Sequence, residues 1–115
     1  MTVTIYHNPR CSKSRQTLEL LEKKGVKPNV VKYLETPPSV AELKSILKKL
    51  GLKARDIIRK GEARFEELGL KDHDSADDEL LGLMVKNPIL IERPIVVHGD
   101  KAAIGRPPEA VLKIL

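Results

Sequence analysis

The chain has 115 residues, with 21 Lys or Arg against 16 Asp or Glu and a formal charge of +5. Its hydrophobic share of 41% excludes a disordered chain, and its length lets one domain bury a core without disulfides or metal. The single cysteine excludes an intramolecular disulfide and any zinc or iron–sulfur site built on cysteines, so no metal is expected.

Val3-Thr4-Ile5-Tyr6 alternates and is rich in β-formers, which predicts a first strand ended by Asn8-Pro9. Helical spacing follows from about Ser12 to Lys24, with Leu18 and Leu21 three apart and Glu19 and Lys23 four apart. Gly25 stands where a helix-ending glycine belongs. Val30 to Leu34 reads as a second strand, so the opening is β-α-β and parallel. Pro37-Pro38-Ser39 starts a helix, with Ser39 and Glu42 as capping box and Pro38 and Leu43 as hydrophobic staple. Its stripe of Val40, Leu43, Ile46, Leu47 and Leu50 is closed by Gly51. A helical stretch punctuated by Gly61 and Gly69 leads to Ser75 and Asp78, which predict the cap of a helix through Leu80, Leu81 and Met84 to Asn87-Pro88. Arg93 to Val97 is extended, His98-Gly99-Asp100-Lys101 is a hairpin turn into Ala102-Ala103-Ile104, and Pro107-Pro108 opens a short terminal helix. The order predicts an α/β fold in one domain over 1–115. It has a four-stranded mixed sheet flanked by helices and a helical insertion over about 39–88, between the second and third strands.

No apolar run approaches the roughly 18–20 residues of a membrane span. The N-terminus lacks the basic and small-residue pattern of a signal peptide, and with one cysteine this places the expected site of action in the cytoplasm. The positive charge does not read as a nucleic-acid surface. Fourteen of the cations are Lys interleaved with acids, and Tyr6, Tyr33 and Phe65 are too few aromatics for base stacking.

Chemistry concentrates at Cys11, between the first strand and the first helix. Unpaired N–H groups and the macrodipole at a helix N-terminus favour a thiolate, and Arg10 and Arg15 add positive potential. His7, at the strand end, is placed to donate to the sulfur or relay its proton. The second cysteine of a C-x-x-C pair would fall at Ser14, so redox turnover needs an external thiol such as glutathione or glutaredoxin. Arg93 and Arg106 stand beside prolines where a solvated charge is out of place, and Arg59 follows Ile57-Ile58 near a helix end. Arg15 is also spaced to pair with Glu19, while His73 and His98 read as surface residues.

The run from Tyr6 to Arg15, YHNPRCSKSR, resembles the opening of the glutaredoxin-coupled arsenate reductase family. The likeness continues in order through Tyr33-Leu34-Glu35, Ile58-Arg59-Lys60, Leu68-Gly69-Leu70, Asn87 to Val97 and Gly105-Arg106-Pro107, covering essentially the whole chain. The resemblance implies a thioredoxin-like fold with Cys11 as nucleophile and His7 at the edge of the site. It implies that Arg59, Arg93 and Arg106 bind the oxyanion, and that Pro94 is the cis-proline beside the thiol. The implied reaction begins with thiolate attack on arsenate. Glutathione, a co-substrate rather than a tightly bound cofactor, then forms an adduct that glutaredoxin reduces, and arsenite leaves. Lys13 and the ending at Leu115 depart from the plasmid-borne type, whose run after the cysteine is neutral and whose chain is longer. Shorter relatives of the fold imply two alternatives: a glutathione-dependent monothiol reductase of another substrate, and a non-catalytic redox-regulatory module binding RNA polymerase. The missing second cysteine counts against a dithiol sensor.

Overall fold

Alternation along Val3–His7 becomes strand β1, whose Val3, Ile5 and His7 are buried while Thr4 and Tyr6 are half-buried. The structure is a computed structural model that describes residues 2–70 and 76–115. It divides into two compact units, Met1–Thr36 with Arg93–Leu115, and Pro37–Glu92.

In the first unit, helix α1 (Ser12–Lys23) connects β1 to β2 (Asn29–Lys32). Strands β3 (Ile95–His98) and β4 (Lys101–Ile104) complete a sheet of order β2-β1-β3-β4. The β1–β2 pair is parallel with His7 opposite Lys32, whereas β1–β3 and β3–β4 are antiparallel. Val3, Ile5, Leu21, Val96 and Val111 form its core, joined by Leu18, Val26 and Ile114. Each fully buried aliphatic side chain there contributes about 1.5–3 kcal/mol. The second strand is shorter than its apolar run predicts. The Lys32 carbonyl accepts from the N–H groups of Glu35 (3.0 Å) and Thr36 (2.9 Å), turning the chain before Leu34 can pair. The β3–β4 hairpin turns at Gly99, with φ +63°, a value suited to the first central position of a two-residue turn. The predicted short terminal helix is present as a 3-10 segment, Pro108–Ile114. Prolines at its start remove N–H donors, and bonds such as Ala110 N–H to Pro107 O (3.0 Å) span three residues.

The second unit is helical and falls between β2 and β3. It comprises α2 (Val40–Leu50), α3 (Ala54–Ile57), α4 (Ala63–Glu67), α5 (Asp77–Lys86) and a 3-10 turn, Pro88–Leu90. Ser39 caps α2 by accepting from Glu42 N–H at 3.1 Å, and Gly51 ends it with φ +70°. The Glu42 carboxylate accepts from the Ser39 hydroxyl at 3.5 Å rather than from the Ser39 N–H. The N-cap half of the predicted box is therefore present, and the return bond goes to the hydroxyl. Leu43, Ile46 and Leu47 of α2 and Leu80, Leu81 and Met84 of α5 are buried. The cap of α5 is Ala76; the predicted cap residue Ser75 and His73 lie outside the described residues. Among the described residues no helix is long and apolar enough to cross a membrane. A mixed four-stranded sheet with flanking helices and helices inserted between β2 and β3 is the thioredoxin-like arrangement expected from the sequence.

Candidate active site

Because β1 ends at His7 and α1 begins at Ser12, Cys11 occupies the N-cap, with extended backbone at φ −94° and ψ 122°. Its N–H donates to Asn8 O and its carbonyl accepts from Arg15 N–H, both at 3.0 Å. The loop is thus tied on both sides of the sulfur. Cys11 is half-buried. Burial raises its pKa, but three groups together outweigh that effect and hold the thiol below its ordinary value. They are the Ser14 N–H, the Arg93 guanidinium through hydrogen bond and charge, and the Lys13 N–H. The Ser14 and Lys13 N–H groups belong to the first turn of α1, so the helix N-terminus favours the anion as the dipole argument requires.

Arg106 reaches the same sulfur. Its Nη1 lies 3.9 Å from Cys11 Sγ and donates to Arg93 O at 3.1 Å. The site therefore gathers the start of α1, the segment before β3 and the segment after β4, which are distant in sequence. Both Arg93-Pro94 and Arg106-Pro107 are cis. Gly105 makes this convergence sterically feasible. Its N–H donates to Pro94 O at 2.9 Å, and a Cβ there would lie 2.5 Å from Thr17 Oγ1 and 2.8 Å from Pro94 Cγ. Thr17, buried on α1, donates to Lys13 O at 2.8 Å.

The imidazole of His7 is buried, and its Nδ1 shares a 2.6 Å hydrogen bond with Ser14 Oγ, which also accepts from Asn8 N–H at 3.0 Å. His7 is held below its ordinary pKa by burial first, then by the charges of Lys32 and Arg15, so it is neutral at pH 7. This differs from a proton relay aimed directly at the sulfur: the bond shown for the ring goes to Ser14. Arg15 donates to Pro9 O at 2.9 Å, and Glu19 pairs instead with Lys23 at 3.3 Å. His98, expected at the surface, is half-buried and its Nδ1–H donates to Ile114 O at 2.6 Å.

Arg59 belongs to the second unit. Its Nη1 donates to Glu92 at 2.7 Å and its Nε to Glu62 at 3.2 Å, while its N–H donates to Leu90 O at 2.7 Å. An antiparallel bridge between Ile58 and Ile91 sets that geometry. Sequence reasoning passed over Ser14, Thr17 and Gly105. The position of Ser14 was visible as the missing half of C-x-x-C; nothing local marks Thr17, and Gly105 is meaningful only once Pro94 and α1 are seen beside it. Among the described residues no group of three His, Cys, Asp or Glu is placed to hold a metal ion.

Comparison with known proteins identifies the family. The model of the ArsC family matches residues 6–114. An arsenate reductase of Haemophilus influenzae is 52% identical over 116 residues, covering 100% of both chains. The uncharacterized protein YfgD of Escherichia coli K12 is 55% identical over 114 residues, 98% of this chain and 96% of its own. The solved structure of an arsenate reductase from Vibrio cholerae matches with a TM-score of 0.96 at 55% identity, covering 100% of this chain and 98% of that one. A family match across nearly the whole sequence and full-length relatives at this identity leave one conclusion: the chain belongs to the ArsC family.

Proposed function

We propose that this protein reduces arsenate to arsenite with Cys11 as nucleophile, glutathione as co-substrate and glutaredoxin as final reductant. The observation that carries the reading is the Cys11 sulfur at the N-terminus of α1 with Arg106 Nη1 3.9 Å away and Arg93 lowering its pKa. Full-length relatives named arsenate reductases support the substrate. Arsenate at neutral pH is a tetrahedral oxyanion. Guanidinium forks and helix N–H groups suit it as ground-state partners and as stabilisers of charge developing on its oxygens.

The thiolate attacks arsenic(V) and an oxygen leaves as water, giving a cysteine-bound arsenic adduct. Reduction to arsenic(III) takes two electrons. With one cysteine in the chain, two external thiols supply them and end as a disulfide, and water then cleaves the Cys11–arsenic(III) bond to release arsenite and restore the thiol. Arg93 and Arg106 hold the oxyanion at the sulfur, and Arg59 serves as the third cation of the clamp. Pro94 and Arg15 support the loop, and neutral His7 with Ser14 positions it. No tightly bound cofactor is needed, and the activity belongs to the cytoplasm, where reduced glutathione is abundant.

The test is NADPH consumption in the presence of arsenate, glutathione, glutathione reductase and glutaredoxin. Arsenate-dependent turnover is expected, abolished in Cys11→Ser and lowered about 10²-fold or more in Arg106→Ala, the scale of losing an oxyanion donor. Arg59→Ala is expected to raise KM for arsenate. Absence of arsenate-dependent turnover, or full activity in Cys11→Ser, overturns the reading.

A further inference from the structure

Beside the Cys11 loop lies a groove of about 310 Å³ lined by His7, Asn8, Pro9, Arg10, Lys32 and Glu35, with Leu34 at its edge. One wall is the segment that follows β1 and leads into Cys11. The other is the end of β2 and the turn after it. These are the carboxyl ends of the two parallel strands, His7 standing opposite Lys32. Loops diverge at such ends, and open α/β sheets bind ligands in the crevice there.

The groove is charged rather than apolar. Arg10 and Lys32 bring two cations and Glu35 one carboxylate, all three exposed. Among the described residues none of the three is in an ion pair, whereas other exposed charges, such as Glu19 with Lys23 and Arg64 with Glu67, are paired. Two cations and one anion are the complement of a small peptide carrying two carboxylates and one ammonium. The single cysteine means that a reductant thiol must come from outside and reach Cys11. Pro9 and Arg10 in one wall of the groove directly precede Cys11, so a thiol held there lies beside the loop that carries the sulfur.

We propose that this groove binds the peptide thiol that resolves the Cys11 adduct, a γ-glutamyl tripeptide of the glutathione class. Arg10 and Lys32 take its two carboxylates and Glu35 its ammonium. The inference rests on the reading that an external thiol reduces Cys11, and it adds the place and the charges that select that thiol. Leu34 and Pro9 supply the apolar contact for the peptide's methylene stem, and His7 and Asn8 form the buried floor.

The experiment separates binding from turnover by using S-methylglutathione, which cannot react, on the Cys11→Ser protein. Titration followed by amide chemical shifts is expected to move residues 8–10 and 32–35 saturably. Lys32→Glu exchanges an attraction for a repulsion of similar size. It is expected to weaken binding roughly two- to thirtyfold, the loss of one exposed ion pair plus a like-charge repulsion of the same size. Glu35→Lys is expected to weaken it similarly. In the otherwise unmodified enzyme, Lys32→Glu is expected to raise KM for glutathione and leave KM for arsenate unchanged. Shifts confined to other surfaces, or equal affinity in wild type, Lys32→Glu and Glu35→Lys, overturn the proposal. So does displacement of S-methylglutathione by sulfate alone, which would make the groove a simple anion site. Failure of arsenate turnover leaves the binding arm intact, so the two readings fail separately.

Discussion

Replacing Gly105 with Ala places a methyl group where the structure has no room. The added Cβ sits 2.5 Å from Thr17 Oγ1, 2.8 Å from Pro94 Cγ and 3.0 Å from Thr17 Cγ2. Ordinary carbon contact is about 3.5–4.0 Å, so the closest neighbour must retreat by roughly 1 Å. Neither neighbour is free to do so. Thr17 is fully buried and its hydroxyl is bonded to Lys13 O, while Pro94 is a buried ring whose carbonyl accepts from Gly105 itself. Overpacking of this kind costs about 1–3 kcal/mol. For a chain of this size the fall in Tm is roughly 4–12 °C, at about 4 °C per kcal/mol. The displaced segment also carries Arg106, so the Cys11 thiolate loses part of its stabilisation. Urea unfolding of wild type, Gly105→Ala, Thr17→Ala and the double variant tests this. In the Thr17→Ala background two of the three close contacts vanish, and the cost of Gly105→Ala is expected to fall by at least half. A Gly105→Ala midpoint within about 0.5 kcal/mol of wild type refutes the steric argument. An undiminished cost in the double variant does the same.

Two more predictions concern titration. The Cys11 thiol, followed by iodoacetamide alkylation against pH, is expected to ionise below the roughly 8.5 of a free thiol, and Arg93→Ala and Arg106→Ala are expected to raise its midpoint. A wild-type midpoint at or above that reference, or no movement in either variant, removes the electrostatic account. Burial, with the charges of Lys32 and Arg15, lowers the folded pKa of His7. Between that folded value and about 6.5 the unfolded chain binds more protons, so stability is whole above about pH 6.5 and declines as pH drops through the folded value. The loss of stability between pH 7 and pH 5 is therefore expected to be smaller in His7→Asn than in wild type; equal losses count against it.

Much of the fold was legible because its signals are local. Alternation marked β1, Ser39 and Gly51 bounded α2, and Gly99 marked the hairpin, each through the chemistry of a few adjacent residues. Where a distant or competing bond intervened, the reading slipped. The Lys32 carbonyl was captured by a turn and shortened β2, and only the structure shows that the predicted short terminal helix is of the 3-10 type.

The candidate site divides along the same line. Sequence alone was enough to identify one cysteine at a strand–helix junction, a serine where a second thiol would stand, and arginines set beside prolines. Tertiary structure decided that Arg93 and Arg106, 82 and 95 residues beyond Cys11, meet at its sulfur, that His7 turns to Ser14, and that Gly105 must lack a side chain. The physical reason is range. Propensity, capping and the helix dipole act over one turn of chain, whereas a thiol's ionisation depends on charges and burial assembled through space.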